Sequence, residues 1–448
     1  MIFFDAFLFL ILLVIAVWQT RSIITTKRPS TAGLFYLVVF IIYGLPLIYK
    51  YFLPSHGKWF AAETEDPAIQ WRYNVILIIG ILLVALTNIR GPAKKSRAFS
   101  RRMADINFGY LKLFATFSWL LLLLPLVVVI VLAPDKLCYL KYGTMETRGI
   151  VERFAGLVYS LVGYAVSLAF VGYVIIRLYN YHSKGYRWNL SNTLATLFLL
   201  IGLYLNTKRT VIMMFLLTLG VLHLLEKGSR KILIVAVPIA LVVFFIHVNV
   251  LRYQTSFVDF IRGDLSRDYT LCYTIAYTHP ASNDIIPQRA NSFRFLATAY
   301  IPRVVYPDKV WPTSVYFTQH VHRTSLYEIL PWGYGVGYYE EFLLNLGYLG
   351  LLLFIPLGLW FRFVDYLIYY RSMVCSIIWL PILYNIMFAS NAALVLYVTI
   401  VVPVLVVSTF LFRKPRYVIN SYEAEQLEYG GEYLSEYNDQ NEIGYEQR

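Results

Sequence analysis

Residues 108–133 read FGYLKLFATFSWLLLLLPLVVVIVLA, a run with a single charge, Lys112. About 20 apolar residues are enough for a helix to cross the hydrocarbon core of a bilayer, so this run predicts a membrane span. Inside lipid each backbone N–H and C=O must find its partner within the segment, which makes helix the default. Working outward, similar blocks recur near 2–18, 32–52, 73–89, 154–176, 190–206, 210–226, 232–250, 342–363, 373–393 and 395–412. Together they predict an all-α, polytopic transmembrane helical bundle of about 11 spans. Spans 1–8 occupy 1–250, a large extracytoplasmic loop containing short helices occupies 251–341, spans 9–11 occupy 342–412, and a tail follows at 413–448.

Composition agrees with that division. The chain is 58% hydrophobic and 15% charged, more apolar surface than a soluble protein of 448 residues can bury. Cys138, Cys272 and Cys375 lie far apart, which argues against a disulfide framework or a cysteine metal site. The first block ends in Val17-Trp18-Gln19-Thr20, without a small-residue cleavage site, so no cleavable signal is expected. There is no phosphate loop, dinucleotide fingerprint, Gly-x-Ser-x-Gly elbow or His-Glu-x-x-His, and no cofactor or metal is expected.

The net charge of +13 reads as contact with anionic lipid and as membrane orientation, not as nucleic-acid binding. One set of connections, with the residues just past 412, holds 20 lysines and arginines; the alternate short set holds nine. The richer side is expected to be cytoplasmic, which puts the N-terminus and the loop at 251–341 outside. The tail interleaves Glu423, Glu425, Glu428, Glu432, Glu436, Asp439, Glu442 and Glu446 with tyrosines, a make-up that cannot bury enough to order itself.

Candidate chemistry concentrates on the outer face. Of the cations Arg252, Arg262, Arg267, Arg289, Arg294, Arg303, Lys309 and Arg323, all but one are arginine. The planar guanidinium fork matches phosphate oxygens and stays charged at any working pH, whereas a loop that only needed solubility would use lysine as readily. Lys208 and Arg209 fill the tight outer turn Asn206-Thr207-Lys208-Arg209-Thr210, against the positive-inside trend. Snorkelling to headgroups is the competing reading. Arg252 and Tyr253 stand where span 8 emerges, and His320 and His322 offer a base or a phosphate contact near neutral pH. In Gly333-Tyr334-Gly335-Val336-Gly337-Tyr338-Tyr339-Glu340-Glu341, the two glutamates fall in the first turn of the next helix, with Asn345 one turn beyond Glu341 on the same face. A general base and a helix cap are both open there.

Taken in order, these residues resemble the Wzy-type O-antigen polymerases and the related enterobacterial common antigen polymerase. The matching elements are Thr207-Lys208-Arg209, Arg252-Tyr253, Ile301-Pro302 through Pro307-Asp308-Lys309, and the glycine-rich stretch running into Asn345-Leu346-Gly347, spread over roughly 200–365. The chain departs from the family where Val310 and Trp311 intervene before Pro312. The resemblance implies transfer of a growing glycan from an undecaprenyl-pyrophosphate carrier to an incoming lipid-linked oligosaccharide repeat unit, at the bacterial inner membrane. It implies Glu341, Glu340, His320 and His322 as candidate catalytic residues. Substrate contacts would come from Lys208, Arg209, Arg252, Tyr253, Arg262, Arg303, Lys309 and Asn345. Membrane lipid, a chain-length regulator and a flippase are the partners it suggests. An O-antigen ligase using the same donor, and a transporter of lipid-linked sugars, are the alternatives.

Overall fold

A computed structural model of the protein describes residues 2–26, 30–52, 57–88, 108–140, 153–184, 190–206, 266–278, 284–298, 301, 306, 308–324 and 334–366. The expected spans at 210–226, 232–250, 373–393 and 395–412, and the tail, lie outside them. Among the described residues there is no strand. The helices are α1 (Ile2–Thr26), α2 (Thr31–Val39), α3 (Pro46–Tyr49), α4 (Gly57–Glu65), α5 (Pro67–Asn88), α6 (Phe108–Leu132), α7 (Leu137–Leu140), α8 (Arg153–Lys184) and α9 (Leu190–Asn206). They continue with α10 (Asp268–Tyr277), α11 (Asn291–Thr298), α12 (Thr313–His322), α13 (Tyr338–Leu346) and α14 (Phe354–Tyr366).

Six described stretches are long and apolar enough to cross a membrane: Ile2–Ser22, Thr31–Tyr49, Pro67–Asn88, Tyr110–Leu132, Leu161–Asn180 and Tyr338–Phe363; Leu190–Leu205 is a shorter apolar helix. The chain thus has the make-up of a multi-pass helical membrane protein. Side-chain exposure fits lipid as the solvent. On α1, Phe3, Phe7, Leu10, Val14 and Val17 form an exposed apolar stripe, while Asp5, Leu8, Leu12 and Ala16 face inward.

Two apolar clusters organise these helices. One joins α6, α8 and α9. There small residues let backbones close up: Gly172 lies against the Ser118 carbonyl and Gly202 against Pro125. The other joins α1, α2, α3, α5, α13 and α14, together with α10. It is closed at one end by Asp365, which accepts from the Thr31 N–H (2.8 Å) and Thr31 Oγ1 (2.5 Å). At the opposite end Asp5 is fully buried and pairs with Lys50 at 2.8 Å, while Asn74 Nδ2 donates to it at 2.5 Å.

Proline chemistry sets the joint between α2 and α3. Pro46 has no N–H to give the Ile42 carbonyl four residues back. The chain widens into a π-helical turn over Phe40–Gly44, with Leu45 N–H reaching the Phe40 carbonyl at 2.8 Å. The Ile42 carbonyl then accepts from the Arg267 N–H at 3.0 Å, and the Tyr43 carbonyl from the Tyr73 hydroxyl at 2.8 Å. The first of these bonds fixes the start of α10 beside a span.

The stretch expected to run as one span over 342–363 is broken. α13 stops at Gly347, whose φ of 62° is a backbone conformation that favours glycine. A 3₁₀ segment, Gly347–Leu353, then leads into α14. Phe354 touches Tyr339 (ring centroids 4.6 Å apart) and Phe342 (5.0 Å). In a straight helix, residues 15 apart would be separated by about 22 Å, so the chain doubles back at Gly347. α13 also begins four residues earlier than the expected boundary of 342.

Close approach of α13 to α5 depends on Gly80. A methyl there would lie 2.5 Å from the ring of Tyr339, which is buried and whose hydroxyl reaches the Leu77 carbonyl at 3.3 Å. Gly80→Ala should lower the thermal midpoint of the solubilised protein, at a cost of about 1–3 kcal/mol for overpacking, and Tyr339→Leu in the same background should restore part of it. An unchanged midpoint would refute the contact. Topology has its own check: with the native cysteines removed, thiols at Asp66 and Gln288 should react with an impermeant reagent from one face, and a thiol at Arg362 from the other. Labelling of Asp66 and Gln288 from opposite faces would overturn the arrangement.

Candidate functional site

The candidate site is assembled where α10, α11 and α12 meet the first turn of α13. Glu340 and Glu341 are both buried. Consecutive residues on a helix point about 100° apart, so the two carboxylates serve different neighbours. Glu340 accepts from Tyr43 Oη at 2.8 Å and Thr270 Oγ1 at 2.7 Å, and from the Gly337 N–H at 3.1 Å as a cap. It ties a span, α10 and its own helix start together. Glu341 accepts from the Ser292 hydroxyl and from Asn345 Nδ2 (3.2 Å). Ser292 Oγ and Thr313 Oγ1 are 2.6 Å apart. Asn345 Oδ1 accepts from the Ser292 N–H at 2.8 Å, so this carboxylate gathers α11 and α12. The expected same-face pairing of Glu341 with Asn345 is present.

Arg267 fixes the segment before α13 by donating its guanidinium N–H to the Gly335 carbonyl. Another described cation of this segment, Lys309, is placed elsewhere. Lys309 donates to the Ile301 carbonyl at 3.1 Å and stands 5.7 Å from the centre of the Phe295 ring. Lys208, Arg209, Arg252, Tyr253, Arg262 and Arg303 lie outside the described residues.

On the other side of α10 a buried aromatic cluster carries partly exposed groups, Tyr277, His320, Tyr334 and Glu63, at its edge. Tyr269, Tyr273 and Tyr277 recur every fourth residue and so share one face. Phe60, Phe317 and Tyr334 pack with them. His320 Nδ1 is 2.8 Å from Tyr273 Oη, and the Tyr277 ring stands edge-on to the imidazole at 4.9 Å. Tyr277 Oη donates to Glu63 Oε1 at 3.3 Å. His322 stacks on Tyr334 with centroids 5.7 Å apart, so the two histidines are turned to different neighbours. Among the described residues no group of histidine, cysteine and carboxylate side chains is arranged to hold a metal ion.

Glu63, Tyr273 and Tyr277 were not among the residues singled out from the sequence. Their signal was there: an acidic cluster, Glu63-Thr64-Glu65-Asp66, in a connection between two apolar blocks, and the four-residue tyrosine repeat. The electrostatics are directional. Burial, reinforced by Arg323, pushes the His320 imidazole below its ordinary value, and Asp284 opposes that. Burial, and secondarily the Glu63 carboxylate, raises the Tyr277 phenol. A half-buried neutral imidazole beside phenols and a carboxylate can take up a proton from a hydroxyl brought to it.

A depressed histidine means that the folded state binds fewer protons than the unfolded state in the acid range, so stability falls with falling pH. The loss should begin near the ordinary histidine value and be complete below the lowered one. The thermal midpoint should fall on acidification from about pH 7 to pH 5, and His320→Gln should flatten that limb. An identical limb in the variant would assign the effect elsewhere. No protein-family model matches this chain, and no curated protein or solved structure matches it.

Proposed function

We propose that the protein is a membrane-embedded glycosyltransferase of the bacterial inner membrane that polymerises undecaprenyl-pyrophosphate-linked oligosaccharide repeat units. The observation that carries this reading is the partly exposed edge of an aromatic cluster, Tyr277 and Tyr334 with His320 and Glu63, where His320 is held by the buried Tyr273 hydroxyl. Aromatic faces suit sugar rings, and the imidazole suits an acceptor hydroxyl. The order of motifs shared with the Wzy-type polymerases points the same way.

In the reaction, His320 takes the proton of the acceptor hydroxyl as its oxygen attacks the anomeric carbon. The bond from that carbon to the carrier pyrophosphate breaks, and the pyrophosphate leaves with the electron pair. Arginines stabilise the departing charge; Arg209, Arg252 and Arg303 are the candidates from the sequence. Glu340 and Glu341, each occupied by hydroxyl partners, position α13 against the loop.

The test is the length of lipid-linked glycan in cells lacking the protein and complemented with variants. His320→Gln should leave single repeat units on the carrier and cut polymer roughly 100-fold or more, with membrane level and thermal midpoint retained. Glu341→Gln should lower polymer and the thermal midpoint together. Arg→Lys at 209, 252 and 303 should each cost about tenfold, because a bidentate contact is lost while the charge stays. Wild-type polymer with His320→Gln removes the base assignment. Carrier-linked chains of unchanged length, with loss only of their onward transfer, replace the polymerase with a ligase.

A further inference from the structure

The doubling-back at Gly347 leaves a groove of about 440 Å³ between α5 and the 3₁₀ segment. One wall is a single face of α5, with Arg72, Ile76, Ile79 and Leu83 at helical spacing. The other carries Leu349 and Leu352, which are 72% and 55% exposed and therefore face the surrounding medium. From Arg72 to Leu83 the groove runs about 16 Å along the helix, roughly half the hydrocarbon thickness of a bilayer. Among the described residues of its lining the charged one is Arg72, about one turn from the start of α5, at the end where Asp5 and Lys50 pair. Trp71 lies beside it, of the residue type that settles at the headgroup level. At the same end Arg289 packs its guanidinium against Gly347, the residue before the groove residue Tyr348.

The geometry points to a binding groove for one hydrocarbon chain with a phosphate head: a single isoprenyl chain lies along α5, and its phosphate meets Arg72. A single channel with an arginine at its interfacial end fits a lipid with one tail, whereas a phospholipid brings two. The groove begins directly after α13, so the chain's head would sit at the edge of the loop helices. The identity of the chain as the glycan carrier rests on the polymerase reading; the chemistry of the groove does not.

The experiment measures lipid bound to the full-length protein in nanodiscs of phosphatidylethanolamine and phosphatidylglycerol doped with undecaprenyl phosphate, quantified by native mass spectrometry. Wild type should retain undecaprenyl phosphate in preference to phosphatidylglycerol, and in preference to the uncharged undecaprenol by about tenfold, the ratio expected of one charge-assisted contact. Arg72→Gln should erase the preference for phosphate over alcohol. Leu352→Trp, which fills the channel, should lose both, while Leu82→Trp, on α5 but outside the lining, should change neither. Equal retention by wild type and Leu352→Trp, or displacement by phosphatidylglycerol at equal mole fraction, overturns the groove. Polymer length in cells is read separately. Lipid lost from Leu352→Trp, in a protein whose deletion leaves polymer unchanged, sinks the polymerase reading and keeps the groove. Normal polymer with unchanged lipid in Leu352→Trp sinks the groove alone.

Discussion

The arrangement depends on a carbonyl that its own helix cannot satisfy. Pro46 withdraws the donor that the Ile42 oxygen would have had, and an unpaired oxygen among apolar spans is costly. The Arg267 N–H supplies the missing partner, and with it the start of α10 is held at the second span. The π-helical turn that accommodates the proline also turns Tyr43 toward Glu340, so one irregularity in one span locates both α10 and α13. A leucine at 46 would close the helix on itself and leave Arg267 to find another acceptor.

From that joint outward, the two glutamates divide the work. Glu340 draws on a span and on α10; Glu341 draws on α11 and α12. Their hydroxyl partners help these buried carboxylates persist, and the Arg267 guanidinium adds its charge near Glu340, since hydrogen bonds to a charge are stronger than those between neutral groups. Loop and membrane parts are thereby joined through a few short side chains. His320, partly exposed and held by the buried Tyr273 hydroxyl, stands on this frame without being part of it, which leaves the imidazole able to respond to a substrate.

Much of the membrane architecture was legible in the sequence, because apolar length is a one-dimensional signal. The blocks near 2–18, 32–52, 73–89, 108–133, 154–176 and 190–206 all appear as helices among the described residues. Helical spacing was legible too: Asn345 sits on the Glu341 face as its four-residue offset requires. The reversal at Gly347 was not, since hydropathy records no sign of φ, and Leu346-Gly347-Tyr348 reads as apolar in either direction. The partners of Glu341 were hidden for another reason. Ser292 is 49 residues away, and an ordinary serine carries no mark of what it will meet. Glu63 lay in a short connection between two apolar blocks, far in sequence from the arginine-rich segment at 251–341.

The fold-back at Gly347 also bears on how the protein is made. α13 carries Glu340, Glu341 and Asn345 within an otherwise apolar stretch, and charged side chains enter lipid only with partners in hand. Those partners, Thr270, Ser292 and Thr313, all precede α13 in the chain. At ordinary rates of synthesis the 49 residues between Ser292 and Glu341 take roughly 2–10 s to emerge. Helical turns form in microseconds, so the hydroxyls that receive α13 have emerged, with time to take up local structure, before α13 does. Vectorial synthesis thus works in the protein's favour: each carboxylate leaves the ribosome after the hydroxyl that will hold it.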